Sequence, residues 1–245
     1  MSVNVYDAIV LKNINYKDND KLYTLFTRQI GKITANAKGV RRISSKRAGS
    51  LDSISKVKVG IFEGQGGKRT ITEVESVKSF SKIKNSPEKT SKAFYLAELV
   101  LKHTEDEYQN PYLYDLFVRT LDLIDDNDLG SEVYLALFQI FFIQNLGFDL
   151  NFSKCSNCFK PFSEFTNFYM SNELGGFVCG DCYKDSFNFD KFPISLEIAR
   201  FLNAARSSPK AMPKFDPHVI HASNEILKNY IKSIFEKELT SENLL

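Results

Sequence analysis

All four cysteines of this 245-residue chain fall in two identical pairs, Cys155-Ser156-Asn157-Cys158 and Cys179-Gly180-Asp181-Cys182, with twenty residues between them. A CxxC turn points two thiolates at one corner of a tetrahedron. A second such turn on a returning hairpin completes it, with Zn–S bonds of ~2.3 Å. The spacing predicts one Zn2+ per chain, held by Cys155, Cys158, Cys179 and Cys182. Four protein ligands leave no position for water, so such an ion is structural rather than catalytic. Phe162, Phe165, Phe168 and Tyr169 supply packing for the hairpin and Gly175-Gly176 its return, while Lys154, Lys160 and Lys184 lie close enough in sequence to offset thiolate charge. The competing readings are reduced thiols, paired disulfides or a redox site. Disulfides are disfavoured in a cytosolic chain, and a redox CxxC needs a βαβ setting that neither pair has.

That cytosolic expectation comes from the N-terminus, MSVNVYDAIVLKNINYKDND, which lacks the basic start, apolar run and small-residue cleavage site of a signal peptide. The most apolar stretch, Val133 to Leu146, is interrupted by Gln139, Gln144 and Asn145 and falls short of the ~20 apolar residues a membrane span needs. No membrane partner is expected. With 43% hydrophobic and 25% charged residues, the composition is that of a folded protein, and the length suits two or three modules.

The first third carries strand chemistry. Val3 to Ile14, Lys21 to Thr27, Lys32 to Lys38, Lys56 to Glu63 and Thr70 to Val77 are β-branched-rich runs, separated by Gly31, Gly39 and the Gln65-Gly66-Gly67-Lys68 tip. Five short strands without early helices predict a small closed barrel, most simply an OB-fold. After Ser86-Pro87 the period changes to about 3.6, with Ser86 as N-cap. Helices are predicted around Ala93 to Leu101, after Asn110-Pro111, over Ser131 to Asn145, after Ser195 and after Asp216-Pro217. The expected organisation is α+β and multidomain: an OB-fold over 1–80, a helical domain over 81–150 resumed over 191–245, and an inserted four-cysteine zinc-ribbon-like module over 151–190.

Charge is unevenly spread. Residues 1–80 hold 15 Lys and Arg against 7 Asp and Glu, residues 81–150 hold 6 against 12, and the remainder 11 against 11. Attraction for phosphates is therefore local to the barrel. Lys38, Arg41, Arg42, Lys46 and Arg47 place five cations in ten residues with no acid, and such a loop can follow a phosphate backbone, with Ser44 and Ser45 adding hydrogen bonds. Tyr6, Tyr16, Tyr23 and Phe26 lie on nearby strands as candidates for stacking on bases, against the alternative that they pack the barrel. His103, His218 and His221 form no triad or metal-hydrolase motif, and Gly64 to Lys68 lacks P-loop spacing, so neither an enzyme nor a small-molecule substrate is expected.

The ordered set of motifs resembles the bacterial RecO family of recombination mediator and strand-annealing proteins. It comprises Asp7 to Leu11, Asp20 to Thr27, Gly31-Lys32, Ala37 to Arg42, Leu146-Gly147-Phe148, and Gly175 to Cys179 closing the cysteine site. Phe159 and Tyr183 depart from many zinc ribbons, where glycine often follows the second cysteine of a pair. The resemblance implies binding to single- and double-stranded DNA, annealing of complementary strands, and cooperation with RecR to load RecA onto DNA coated by single-strand-binding protein. It implies a cytoplasmic, nucleoid-associated protein. It further implies a site on the helical body for the acidic, apolar-ended C-terminal peptide of single-strand-binding protein, where Lys89, Lys92, Lys102 and Arg119 are the available cations. A zinc-ribbon interaction protein of transcription or translation is the alternative; it would share the cysteine site without needing the barrel and basic loop.

Overall fold

Alternating inward and outward residues build five strands: β1 (Val3–Tyr16), β2 (Asp20–Thr27), β3 (Gly31–Ala37), β4 (Lys56–Glu63) and β5 (Arg69–Lys78). The computed structural model describes residues 3–42, 49–127, 130–148, 150–185 and 190–235. The strands close a barrel in the order β1-β2-β3-β5-β4, with β4 returning to β1. β3 and β5 meet in parallel at Asn36 and Thr70, and the other neighbours are antiparallel. This is the OB-like barrel expected from the strand pattern. β1 pairs with β4 over Val3 to Ile9 and with β2 over Ala8 to Tyr16, and its register shifts between Val10 and Lys12. Such a bulge bends a strand, which lets one fourteen-residue segment serve both sides of the closure. Val10, Tyr23, Leu25, Ile33, Val57, Val59, Ile61 and Ile71 fill the interior, plugged by Val40 and Leu51 from the connection between β3 and β4.

Phe80, buried in a left-handed conformation with φ of 52°, turns the chain out of the barrel into α1 (Ser81–Lys84). Helix α2 (Pro87–His103) starts with Pro87 in its first turn and the Ser86 hydroxyl accepting from the Lys89 amide, and α3 (Pro111–Asp126) starts the same way with Asn110 accepting from Leu113. The Ser86 cap was legible in Ser-Pro, and Asn110-Pro111 marked the start of α3. The helices are tied to the barrel by specific polar contacts. The Arg28 guanidinium donates to both carboxylate oxygens of Asp115 at 2.8 and 2.9 Å. The ammonium of Lys32, largely buried, donates to the carbonyls of Leu101 at 2.6 Å and Thr104 at 2.7 Å, satisfying acceptors that the end of α2 would otherwise leave open. Beside it, a methyl group on Gly31 would lie 2.1 Å from the Tyr108 carbonyl oxygen, and the φ of 75° there also favours glycine.

Contacts divide the described residues into two compact units, one up to residue 127 and one over residues 130–235. The change of period near residue 80 is thus a change from strand to helix, and α1 to α3 pack with the barrel. In the second unit α4 (Ser131–Asn145) buries Leu135, Ala136, Phe138, Ile140, Phe142 and Ile143, as its apolar circumference predicts. A polar chain with Gln139 and Asn224 fully buried ties α4 to the C-terminal helix α7 (Pro217–Phe235): Gln139 donates to Asn224, which donates to the Glu132 carboxylate. Between them lie β6 (Phe168–Ser171), β7 (Gly176–Cys179), α5 (Gly180–Asp185), β8 (Phe192–Ile194) and α6 (Leu196–Ser207). The three short strands form a sheet in the order β7-β6-β8.

Candidate metal centre and nucleic-acid interface

The cysteine site is assembled by backbone bonds around two turns. The side chain of Asn151 accepts from the amides of Ser153 and Lys154, turning the chain into the first pair. The Cys155 amide donates to the Lys160 carbonyl at 2.8 Å, and Phe159 closes the turn by donating to the Cys155 carbonyl at 3.0 Å. Ser156 donates to the Phe177 carbonyl at 2.8 Å, which brings the first turn beside β7 and the second pair. A methyl on Gly176 would lie 2.3 Å from the Asn151 carbonyl oxygen, so this approach requires glycine. The rings of Phe152, Phe162, Phe165, Phe168 and Phe177 pack on one another, with centroids from 4.8 to 5.9 Å apart, and make the module's small core.

The four Sγ atoms all lie within 4.8 Å of one another. Cys158 and Cys179 are 3.7 Å apart, close to the ~3.8 Å edge of a tetrahedron drawn with ~2.3 Å metal–sulfur bonds. The thiols do not share one acidity. Burial pushes Cys155 up, but amide donors from Cys158, Cys179 and Asn157 outweigh it and leave the group at about 7. Burial drives Cys182 up to about 12, with Cys158 and Cys179 reinforcing the effect against an opposing hydrogen bond from Asn157. Burial also raises Cys179. Four thiolates cannot coexist here without a cation at their centre, so the donor set fits one metal ion. Of the lysines expected to offset thiolate charge, Lys160 pairs with Asp181 across the two turns, and Lys154 lies over the Phe159 ring at 4.7 Å. Among the described residues this is the only cluster of three or more potential ligand residues; His218 and His221 take no part in it.

The basic turn sits at one end of the barrel. Gly39, with φ of 66°, donates its amide to Asp20 at 2.8 Å, and Arg42 donates back to the Gly39 carbonyl. The Arg41 amide bonds the Asn19 carbonyl, and its Nη1 reaches the Asp18 carbonyl at 3.0 Å, which fastens the turn to the tip of the β1–β2 hairpin. The Gly39 amide holds the Asp20 carboxyl below its ordinary range; slight desolvation opposes it, while Asn36, Lys17 and Lys38 help. Lys38, Arg41 and Arg42 are exposed. Lys46 and Arg47, with Ser44 and Ser45, lie outside the described residues.

The four candidate stacking residues separate. Tyr23 and Phe26 are buried at 1% exposure each and belong to the core, and Tyr6 packs partly against it. Tyr16 alone is exposed, next to exposed Ile14 and with Lys17 at 5.4 Å from its ring, on the hairpin that Arg41 grips. Alternation along a strand cannot say which face is inward, so the inward pair was not separable from the outward one in the sequence. Of the cations considered for an acidic peptide, Lys89 and Lys92 are buried and Lys102 pairs with Glu98 at 2.7 Å. Arg119 is exposed and lines a cleft of about 340 Å³ with Arg28, Lys56, Tyr114 and Asp115. Arg28 and Lys56, which precede the helical body in sequence, were not among the expected cations of that site.

Comparison with known proteins agrees across the chain. Residues 1–80 match the model described as recombination protein O N terminal, and residues 84–242 the one described as recombination protein O C terminal. A protein named DNA repair protein RecO from Dehalococcoides mccartyi is 27% identical over 231 residues, 94% of this chain and 90% of the relative. Those of Alkaliphilus metalliredigens and Clostridium perfringens are 29% identical over 226 residues (92% and 91% of the two chains) and 32% over 169 (69% and 68%). With both halves matched in order, and with the closed barrel and clustered cysteines in place, the chain belongs to the RecO family of DNA repair proteins.

Proposed function

We propose that this chain is a non-enzymatic recombination mediator. It holds single- and double-stranded DNA on the barrel, anneals complementary strands and, with RecR, helps load RecA onto DNA coated by single-strand-binding protein. The observation that carries the reading is the exposed Lys38–Arg42 turn, fastened by Arg41 to the tip of the β1–β2 hairpin beside exposed Tyr16. Cations on a preformed turn neutralise phosphates and release counterions, which lets two like-charged strands approach without hydrolysing a nucleotide. Lys46 and Arg47 extend the same acid-free run.

The metal in this reading is zinc. Four thiolates near tetrahedral spacing suit a soft ion without redox chemistry, and a closed set of protein ligands gives it a folding role. The acidic C-terminal peptide of single-strand-binding protein would enter the cleft beside α3 at exposed Arg119, since Lys89 and Lys92 are buried, Arg28 is taken by Asp115, and Asp7 and Asp122 also line it. The protein acts in the cytoplasm, associated with the nucleoid. Fluorescence-monitored annealing of complementary strands, bare and coated with single-strand-binding protein, tests the proposal. Acceleration of both is expected; strands that pair no faster with the protein than without it would sink it.

A further inference from the structure

The conformation of Phe159 has no role in the packing described so far. Its ring is 64% exposed, yet its backbone is held at φ of 63°. Glycine takes that region freely, whereas an aromatic residue enters it at a cost. The position is forced, because the Phe159 amide closes the first cysteine turn on the Cys155 carbonyl. The residue type is not forced: an exposed side chain contributes little to the module's core, and glycine would relieve the strain. Strain carried at an exposed side chain points to work done outside the fold.

Its surroundings say what kind of partner fits. Ser153, Lys154, Asn157 and Cys158 around the turn are all exposed, so the ring stands in polar company rather than in the apolar patch that anchors a protein interface. Lys154 sits 4.7 Å from the ring centroid. The second pair is also followed by a half-exposed aromatic near an ammonium, though on helix α5 and without the left-handed backbone. Tyr183 follows Cys182 as Phe159 follows Cys158, is 40% exposed, stacks on Tyr169 at 3.8 Å and 8°, and has Lys191 at 5.5 Å from its ring. Both aromatics directly follow cysteines whose sulfurs belong to one cluster. A flat ring beside an ammonium, presented twice, matches a base beside its phosphate.

We infer that the turns of the four-cysteine module form a stacking platform for bases of single-stranded DNA, with Phe159 and Tyr183 as the rings and Lys154 as the adjoining cation. This rests on the DNA-holding function proposed above and adds a second contact of a different kind. Lys160 is engaged by Asp181, and the metal-thiolate centre is itself anionic, so the platform holds bases rather than neutralising a backbone. Its contribution is therefore nearly independent of salt.

The test compares Phe159→Gly, Phe159→Tyr and the parent protein, all metal-loaded, for binding to an oligothymidine strand over a range of salt concentrations. Phe159→Gly is expected to lower affinity about tenfold at every salt concentration, leaving the log–log salt slope unchanged. Metal content should be unaltered and the melting temperature should not fall. Phe159→Tyr should bind as the parent does. Unchanged affinity in Phe159→Gly, while Arg41→Ala/Arg42→Ala weakens binding, would overturn this inference and leave the barrel reading standing. A lower melting temperature or lost metal in Phe159→Gly would also overturn it, since the ring would then be a structural prop. A parent protein that binds no strand removes both readings.

Discussion

The barrel and the four-cysteine module both surround a small interior with short strands, but they hold it together by different means. The barrel closes on itself, so every strand has two neighbours, and its interior of Val57, Val59, Ile61 and Ile71 is fully excluded from water. The module is a three-stranded sheet with strands of four, four and three residues, a handful of phenylalanines and four clustered thiols. Apolar burial carries the first, and in the second the clustered thiols suit a metal that would stand in for a core too small to fold alone.

The largest expected effect follows from removing that metal. Chelation, or Cys179→Ser, should release the ion and unfold the module while the barrel persists, because structural zinc contributes on the order of 10 kcal/mol to such sites. Elemental analysis with limited proteolysis would show it; a metal-free module as protease-resistant as the loaded one would break the contrast. Acidification should act in the same direction. Protons compete for the thiolates, so metal affinity falls as pH drops below neutrality. The next effect belongs to the barrel. Ile61→Ala should cost ~2–5 kcal/mol by denaturant unfolding, since the site is fully enclosed, with metal content unchanged.

Replacing Arg41, Arg42, Lys46 and Arg47 with alanine should barely change stability but should weaken DNA binding alike for unrelated sequences. Each lost phosphate contact lowers the single-strand salt slope by ~0.7. An unchanged slope would move the backbone path away from the barrel end. The smallest effect is expected at Asp20, whose carboxyl is held below its ordinary value by the Gly39 amide. A depressed folded-state value means its contribution is present above the unfolded value and is lost as pH falls through the folded one. Parent and Asp20→Asn stabilities should therefore differ above about pH 4 and converge at lower pH, as unfolding curves across that range would read.

Much of this architecture was legible in the chain. Period-two runs located all five strands, and Ser86-Pro87, Asn110-Pro111 and Ser195 marked helix starts, because caps and alternation are local signals. Two CxxC pairs picked out the four thiols that come together, since the second turn had only to return to the first. What escaped reading depended on distant packing. The burial of Lys89 and Lys92 is set by neighbouring helices, the three-residue strand β8 exists only because β6 offers an edge, and the left-handed backbone of Phe159 was hinted at only by the glycine that zinc ribbons often carry there. Tyr23 and Tyr16 lie on neighbouring strands of one hairpin, yet one fills the barrel and the other faces solvent.

The contact between Gly31-Lys32 and the end of α2 bears on how this protein can be taken apart. Lys32 completes carbonyls 69 and 72 residues further along, and Gly31 leaves room for the Tyr108 backbone. A fragment ending near residue 80, where strand gives way to helix, would strip a buried ammonium of both carbonyl partners and uncover the apolar wall beneath α2 and α3. A fragment ending near residue 127 keeps those partners. The smallest piece of the N-terminal half suited to study in isolation is therefore the barrel with its three helices, and a bare barrel would report on the wound left by the cut as much as on its own behaviour.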